Sequence, residues 1–143
     1  MNELPTIISV DDDEGHQILI HDNLEAAGVI NSIVPFRDGQ EFFDFQATLP
    51  AKAPRSYVFL IDLRMPRMDG VEMLRRLKAD PKLRKMPVIM LTTADDSREI
   101  ERCHELGCSL FLQKPVNHDQ FIESIRRLGW FLPLMKVPTV TAA

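Results

Sequence analysis

Tyr57-Val58-Phe59-Leu60-Ile61-Asp62 decides the fold: five apolar residues in a row, closed by a carboxylate. A short, unbroken apolar run fits a strand covered on both faces, as in a parallel sheet, where period-two alternation disappears. Three other runs share this grammar. Ile7-Ile8-Ser9-Val10 ends at the acidic cluster Asp11-Asp12-Asp13-Glu14, and Val88-Ile89-Met90-Leu91 ends at Thr92-Thr93. Leu110-Phe111-Leu112 leads through Gln113 to Lys114-Pro115. If the four runs are parallel strands, their carboxyl ends align on one crevice, the edge at which open α/β sheets bind ligands. Carboxylates, a hydroxyl and one ammonium meet there, a set suited to Mg²⁺ and a phosphoryl group.

The flanking sequence agrees with that layout. Strands are predicted over about 6–10, 31–36, 57–61, 87–91 and 109–113, separated by amphipathic segments. The alternation predicts an α/β fold: a doubly wound, five-stranded parallel sheet with five helices and right-handed crossovers. Helix starts are marked by capping-box pairs, Asp38 with Glu41, Asp69 with Glu72, Asp96 with Glu99 and Asn117 with Gln120. Gly28 and Gly107 stand where helices stop, and Pro81 ends the third helix after Asp80. Val71, Leu74 and Leu77 form one buried stripe; Phe121, Ile125 and Leu128 form another. The stretch from Pro133 reads as a short extension, giving a domain over 1–132 and a tail over 133–143.

Bulk properties narrow the function. A chain of 143 residues builds one well-cored domain. Net charge is −4 and no basic stripe is present, which argues against nucleic acid as a partner. Arg75, Arg76 and Lys78 recur among apolar residues at helical spacing, as a solvated helix face does. No apolar stretch approaches the ~18 residues that span a bilayer, and no signal-peptide pattern is visible, so a cytoplasmic location is expected. Cys103 and Cys108 do not make a disulfide framework. With His104 they offer three metal ligands and no fourth, a weak zinc signal.

Asp11, Asp12 and Asp62 crowded together repel one another, and a cation relieves that repulsion. By itself Asp11-Asp12-Asp13 reads as a strand-to-helix turn with a cap. The combination with Asp62, Thr92 and Lys114 carries the metal reading. On Val10-Asp11-Asp12, Asp62 with Met65-Pro66 and Asp69-Gly70, Thr92, and Lys114-Pro115, the chain resembles the receiver domain of two-component response regulators over roughly residues 5–132. The resemblance implies a flavodoxin-like receiver fold in which Asp62 takes a phosphoryl group from a phosphohistidine on a sensor histidine kinase. It implies that Asp12 binds Mg²⁺ directly, Asp11 mainly through water, and the backbone carbonyl of Arg64 supplies a third contact. Lys114 is then expected to pair with one phosphoryl oxygen and Thr92 to hydrogen-bond another. Phe111 takes the aromatic switch position on the last strand. Thr93 follows the switch threonine, where a smaller residue is common, and is expected to narrow access. The Lys-Pro bond is usually cis in the family, which makes Pro115 a cis-peptide candidate, although a plain strand-terminating turn fits the residues equally. The chemistry is sound apart from the family: phosphoryl transfer needs positioning and positive charge, and a carboxylate can serve as its nucleophile.

The resemblance points to a stand-alone regulator whose output is protein–protein contact. Gly129-Trp130-Phe131-Leu132-Pro133-Leu134-Met135 is more apolar than one helix face requires, so Phe121, Ile125, Trp130 and Phe131 are interface candidates, with a homodimer expected. A narrower likeness rests on Leu91-Thr92-Thr93-Ala94-Asp95, Lys114-Pro115-Val116-Asn117, Gln120-Phe121 and Arg127-Leu128-Gly129-Trp130. These resemble stand-alone regulators paired with phytochrome-type photosensor kinases, which tend to dimerise through the region of the fourth and fifth helices and the C-terminal extension. A histidine phosphotransfer protein is a further possible partner. The alternative is a Mg²⁺-dependent phosphohydrolase with an aspartyl nucleophile. Such enzymes usually carry a second acid two residues after the nucleophile, where this chain has Arg64. A switch rather than an enzyme is therefore expected.

Overall fold

The computed structural model describes residues 4–93, 97–115 and 117–140. Strands β1 (Thr6–Val10), β2 (Ile33–Phe36), β3 (Tyr57–Ile61), β4 (Val88–Thr92) and β5 (Leu110–Gln113) form one sheet in the order β2-β1-β3-β4-β5. Every pairing in it is parallel. Between them run α1 (Glu14–Ala26), α2 (Gly39–Thr48), α3 (Gly70–Ala79), α4 (Ser97–Glu105) and α5 (His118–Phe131). This is the doubly wound α/β architecture the apolar runs predict. β2 starts two residues later than expected, and its Pro35 is tolerated because β2 is an edge strand that needs no second ladder.

Register delivers the chemistry. Val10 pairs with Ile61, so Asp11 and Asp62 leave the sheet side by side, and the Asp62 N–H donates to the Val10 carbonyl at 3.0 Å. Thr92 pairs with Gln113, and the Lys114 N–H donates to the Thr92 carbonyl at 2.7 Å.

Helix starts follow the local code. Asp38, Asp69 and Asn117 accept from the N–H groups of Glu41, Glu72 and Gln120. Glu41 returns to the Arg37 N–H at 2.7 Å, one residue earlier than a standard capping box. The expected Asp96 cap lies outside the described residues. Asp13 caps α1 by accepting from the His16 N–H. Gly28 and Gly107 adopt φ of +97° and +98°, the left-handed turn that ends a helix.

Each sheet face has its own core. Phe42, Phe59, Met73, Leu77 and Met90 anchor the side under α2, α3 and α4. Leu24, Leu60, Ile89, Phe121, Ile125 and Leu128 anchor the side under α1 and α5. This corrects two interface candidates. Phe121 and Ile125 are 4% and 1% exposed and belong to the chain's own core, because the α5 stripe is needed to cover the sheet. Trp130, at 60%, and Phe131, at 42%, remain exposed.

The described part of the tail, residues 133–140, is docked on the domain. After a 3₁₀ turn at Leu132–Leu134, Val137 packs against both cores. Val140 then forms an isolated antiparallel bridge with Arg55, two N–H···O bonds of 2.8 Å each. The buried Arg55 guanidinium donates to the Gln46 side-chain oxygen and the Ala53 carbonyl, both at 2.9 Å. Among the described residues, no helix is long and apolar enough to cross a membrane.

Candidate functional site

Asp11, Asp12 and Asp62 meet at the carboxyl edge of the sheet, with one ligand oxygen from each lying within 4.8 Å of the others. Among the described residues this is the only such group of three metal-capable side chains. Asp11 is buried, Asp62 is 12% exposed and Asp12 faces solvent. Lys114, 3% exposed, inserts its ammonium among them, 2.5 Å from Asp11 Oδ2 and 3.6 Å from Asp62 Oδ2. Thr92 is fully buried at the end of β4.

The electrostatics are those of a cation site. Burial pushes the Asp11 carboxyl up, and the nearby Asp62 charge adds to the rise, while Lys114 and the Asp13 N–H pull it down without cancelling it. Three carboxylates against one ammonium leave a deficit of two positive charges. A divalent, oxygen-seeking ion would supply that charge, and the exposed Asp12 would leave room for its waters. The donor set thus fits Mg²⁺, with Asp11, Asp12 and Asp62 as its side-chain holders.

The loop that follows Asp62 is tightly packed. A Cβ on Gly70 would stand 2.4 Å from the Asp62 carbonyl oxygen, so only glycine lets α3 start this close to the strand end. The Gly70 N–H donates to the Leu63 carbonyl at 2.9 Å. Arg64 is exposed, and its guanidinium lies 3.2 Å from Glu99 of α4. Both line a cleft of about 850 Å³ together with Asp12, Asp69, Glu72 and Arg102. Thr93 is exposed and does not line this cleft. Phe111 is half-buried on β5, packed toward the α3–α4 core with its ring centroid 6.4 Å from that of His104.

The cis candidate is corrected. No cis peptide bond occurs among the described residues, so the bond into Pro115 is trans. Lys114 still reaches Asp11 because its backbone is fixed to Thr92, which aims the side chain along the strand ends.

Two site residues had no sequence signal. His16 places Nδ1 3.1 Å from the Lys114 ammonium and lays its ring beside Phe121, centroids 5.2 Å apart. Gln17 donates to the carbonyls of Ser9, Asp11 and Phe36 at 3.0 to 3.1 Å, tying the ends of β1 and β2 together. Both sit in the first turns of α1, and the rotation of that helix about its axis is set by packing on the sheet. Cys103 and Cys108 are free and buried, and burial pushes the Cys103 thiol up to about 11.

Comparison with known proteins agrees with this geometry. A family model described as response regulator receiver domain matches residues 7–126. The polar-differentiation response regulator DivK of Brucella anthropi is 31% identical over 121 residues, covering 85% of this chain and 93% of DivK. Among solved structures, a response regulator receiver domain from Rhodospirillum rubrum superposes with a TM-score of 0.86 at 40% identity, over 96% of this chain and 99% of that one. The phosphorylated cyanobacterial phytochrome response regulator RcpA superposes with a TM-score of 0.85 at 28% identity, over 95% and 99%.

Proposed function

This chain belongs to the response regulator receiver family, and from that premise we propose that it accepts a phosphoryl group on Asp62 from a sensor histidine kinase and signals through protein–protein contacts. The observation that carries the reading is the convergence of Asp11, Asp12, Asp62, Thr92 and Lys114 on one sheet edge. Asp11, Asp12, Asp62 and the Arg64 carbonyl would hold Mg²⁺. When bound, the ion supplies positive charge to the carboxylates and to the phosphoryl oxygens they must approach.

The chain's own groups do the rest. An Asp62 oxygen forms the new O–P bond as the P–N bond of the phosphohistidine breaks, and the bonding pair leaves with the imidazole. Lys114 shifts its ammonium from sharing between Asp11 and Asp62 to a phosphoryl oxygen, and the Thr92 hydroxyl donates to another. The product converts the singly charged Asp62 carboxylate into an acyl phosphate that carries close to two negative charges on its phosphoryl oxygens, about one more than before. Movement of Thr92 toward them draws on the loop after β4 and on Phe111, carrying the change to the α4–β5–α5 surface. A protein built this way is a switch and not a turnover centre: the position that carries a second acid in aspartyl phosphohydrolases is Arg64, whose guanidinium pairs with Glu99.

The similarity to a phytochrome response regulator over nearly the whole chain supports a photosensor kinase as donor, and we propose a histidine phosphotransfer protein as an onward acceptor. We place the protein in the cytoplasm with that kinase. The exposed Trp130, Phe131 and Leu134 support a homodimer through the end of α5. Incubation with Mg²⁺ and acetyl phosphate is expected to give an acid-stable, base-labile adduct on Asp62, lost in Asp62→Asn. Equal labelling of Asp62→Asn refutes the assignment. Phosphotransfer from purified phytochrome-type kinases, compared with other histidine kinases, tests the donor class.

A further inference from the structure

Arg67 is the one non-glycine residue with positive φ among the described residues, at +61°. It sits at the tip of the loop between β3 and α3, five residues after Asp62 and three after Arg64. The Met68 N–H donates back to the Pro66 carbonyl at 2.6 Å, so Arg67 is the central residue of a γ-turn in its rare, strained form. A residue with a Cβ holds such a conformation only where its surroundings over-determine it.

The holder is Asp38. Arg67 donates from Nε to Asp38 Oδ2 at 2.9 Å and from its terminal nitrogen to Oδ1 at 3.1 Å, a bidentate pair. Asp38 is itself buried and fixed, because its Oδ1 accepts from the Glu41 N–H at the start of α2. Burial pushes the Asp38 carboxyl up, but the hydrogen bonds and charge of Arg67, with the Glu41 N–H, reverse this and leave it below the usual carboxylate range. Beside the pair, Gly39 lets Met68 approach so closely that an added Cβ would lie 2.8 Å from the Met68 sulfur. The two ends of the loop are held by the Gly70–Leu63 backbone bond, and its tip is held by Asp38.

We propose that Asp38 and Arg67 are positioning residues: their ion pair clamps the β3–α3 loop to the N-terminus of α2 and thereby sets the Arg64 carbonyl and Asp62 for metal binding. This inference rests on the receiver reading, in which those two groups face Mg²⁺. It assigns the strained turn a purpose, since the pair holds the loop in a conformation that its backbone alone disfavours.

Asp38→Asn is the clean variant. Asn caps a helix as well as Asp does, so α2 keeps its start, while the charge and one acceptor of the clamp are lost. Titration of the purified protein with Mg²⁺ alone, by calorimetry, is expected to show affinity about tenfold weaker in Asp38→Asn and in Arg67→Ala, in line with the loss of outer-shell partners at metal sites. Arg67→Gly relieves the backbone strain but breaks the clamp. It is expected to recover the melting temperature lost in Arg67→Ala without recovering Mg²⁺ affinity. The double variant Asp38→Asn/Arg67→Ala is expected to bind no more weakly than either single one. Mg²⁺ affinity within twofold of wild type in Asp38→Asn or Arg67→Ala overturns the proposal, as do additive losses in the double variant or recovered affinity in Arg67→Gly. If wild type itself binds no Mg²⁺, or Asp12→Ala binds it equally well, the receiver reading fails instead.

Discussion

Gly70→Ala sets two forces against each other at the candidate site. Gly70 is the first residue of α3, directly after its cap Asp69. Helix propensity favours alanine over glycine there by at most ~1 kcal/mol. Against this, the new Cβ would lie 2.4 Å from the Asp62 carbonyl oxygen and 2.8 Å from the Leu63 Cα, both backbone atoms that no rotamer change can move. Restoring ordinary contact requires a shift of about 1 Å, given the ~3.5–4 Å optimum between non-bonded atoms. Overpacking of this kind costs about 1–3 kcal/mol, and stretching the 2.9 Å Gly70–Leu63 bond costs roughly 1 kcal/mol more. Sterics win by about 1–3 kcal/mol, which lowers the melting temperature of a domain this size by roughly 3–15 °C. Urea or thermal unfolding followed by circular dichroism, in EDTA, measures it. Gly15→Ala is the internal control. Its Cβ meets only the Asp13 side-chain oxygen, at 3.2 Å, on an exposed turn of α1, so the propensity term is expected to leave stability unchanged or slightly raised. A Gly70→Ala protein as stable as wild type would show that the loop yields freely and that the site is not held by this close approach.

The raised carboxyl of Asp11 has a definite sign. With its folded value above the ordinary 3.8, the native state binds more protons than the unfolded chain, so this group costs stability progressively as pH rises from about 4 through the folded value. In metal-free protein, the melting temperature of Asp11→Asn minus that of wild type should therefore increase from pH 4 to pH 7; a flat or falling difference contradicts the desolvation reading. Cys103, with its thiol pushed up to about 11, should resist alkylation in the folded protein at pH 8, where about one molecule in a thousand carries the thiolate. Labelling at the rate seen in urea would show that the thiol is not buried as described. Removal of residues 137–143 deletes the Val137 packing and the Arg55–Val140 bridge. A loss of about 2–3 kcal/mol is expected in chemical denaturation from the buried valine surface, and no change means the docking is idle. Trp130→Ser should leave unfolding unchanged, because the side chain is largely exposed, while weakening self-association by sedimentation; an unaltered dimer removes Trp130 from the interface.

Short-range order is what the sequence by itself determined. Apolar runs such as Tyr57–Ile61 and the caps at Asp38, Asp69 and Asn117 depend on neighbours within a few residues, so strands, helix starts and the carboxyl-edge convergence of Asp11, Asp62, Thr92 and Lys114 were all legible. The parallel sheet then follows, because strands buried on both faces need helices on each side. Only the tertiary structure decided which residues the helices spend on the core. It buried Phe121 and Ile125 while leaving Trp130 outside, and it turned His16 and Gln17 toward the site. It folded the tail back onto Arg55 and brought Arg67 to Asp38, partners 29 residues apart. Helix rotation, tail docking and ion pairs between loops are set by packing over long sequence separations, where no local propensity discriminates among the alternatives.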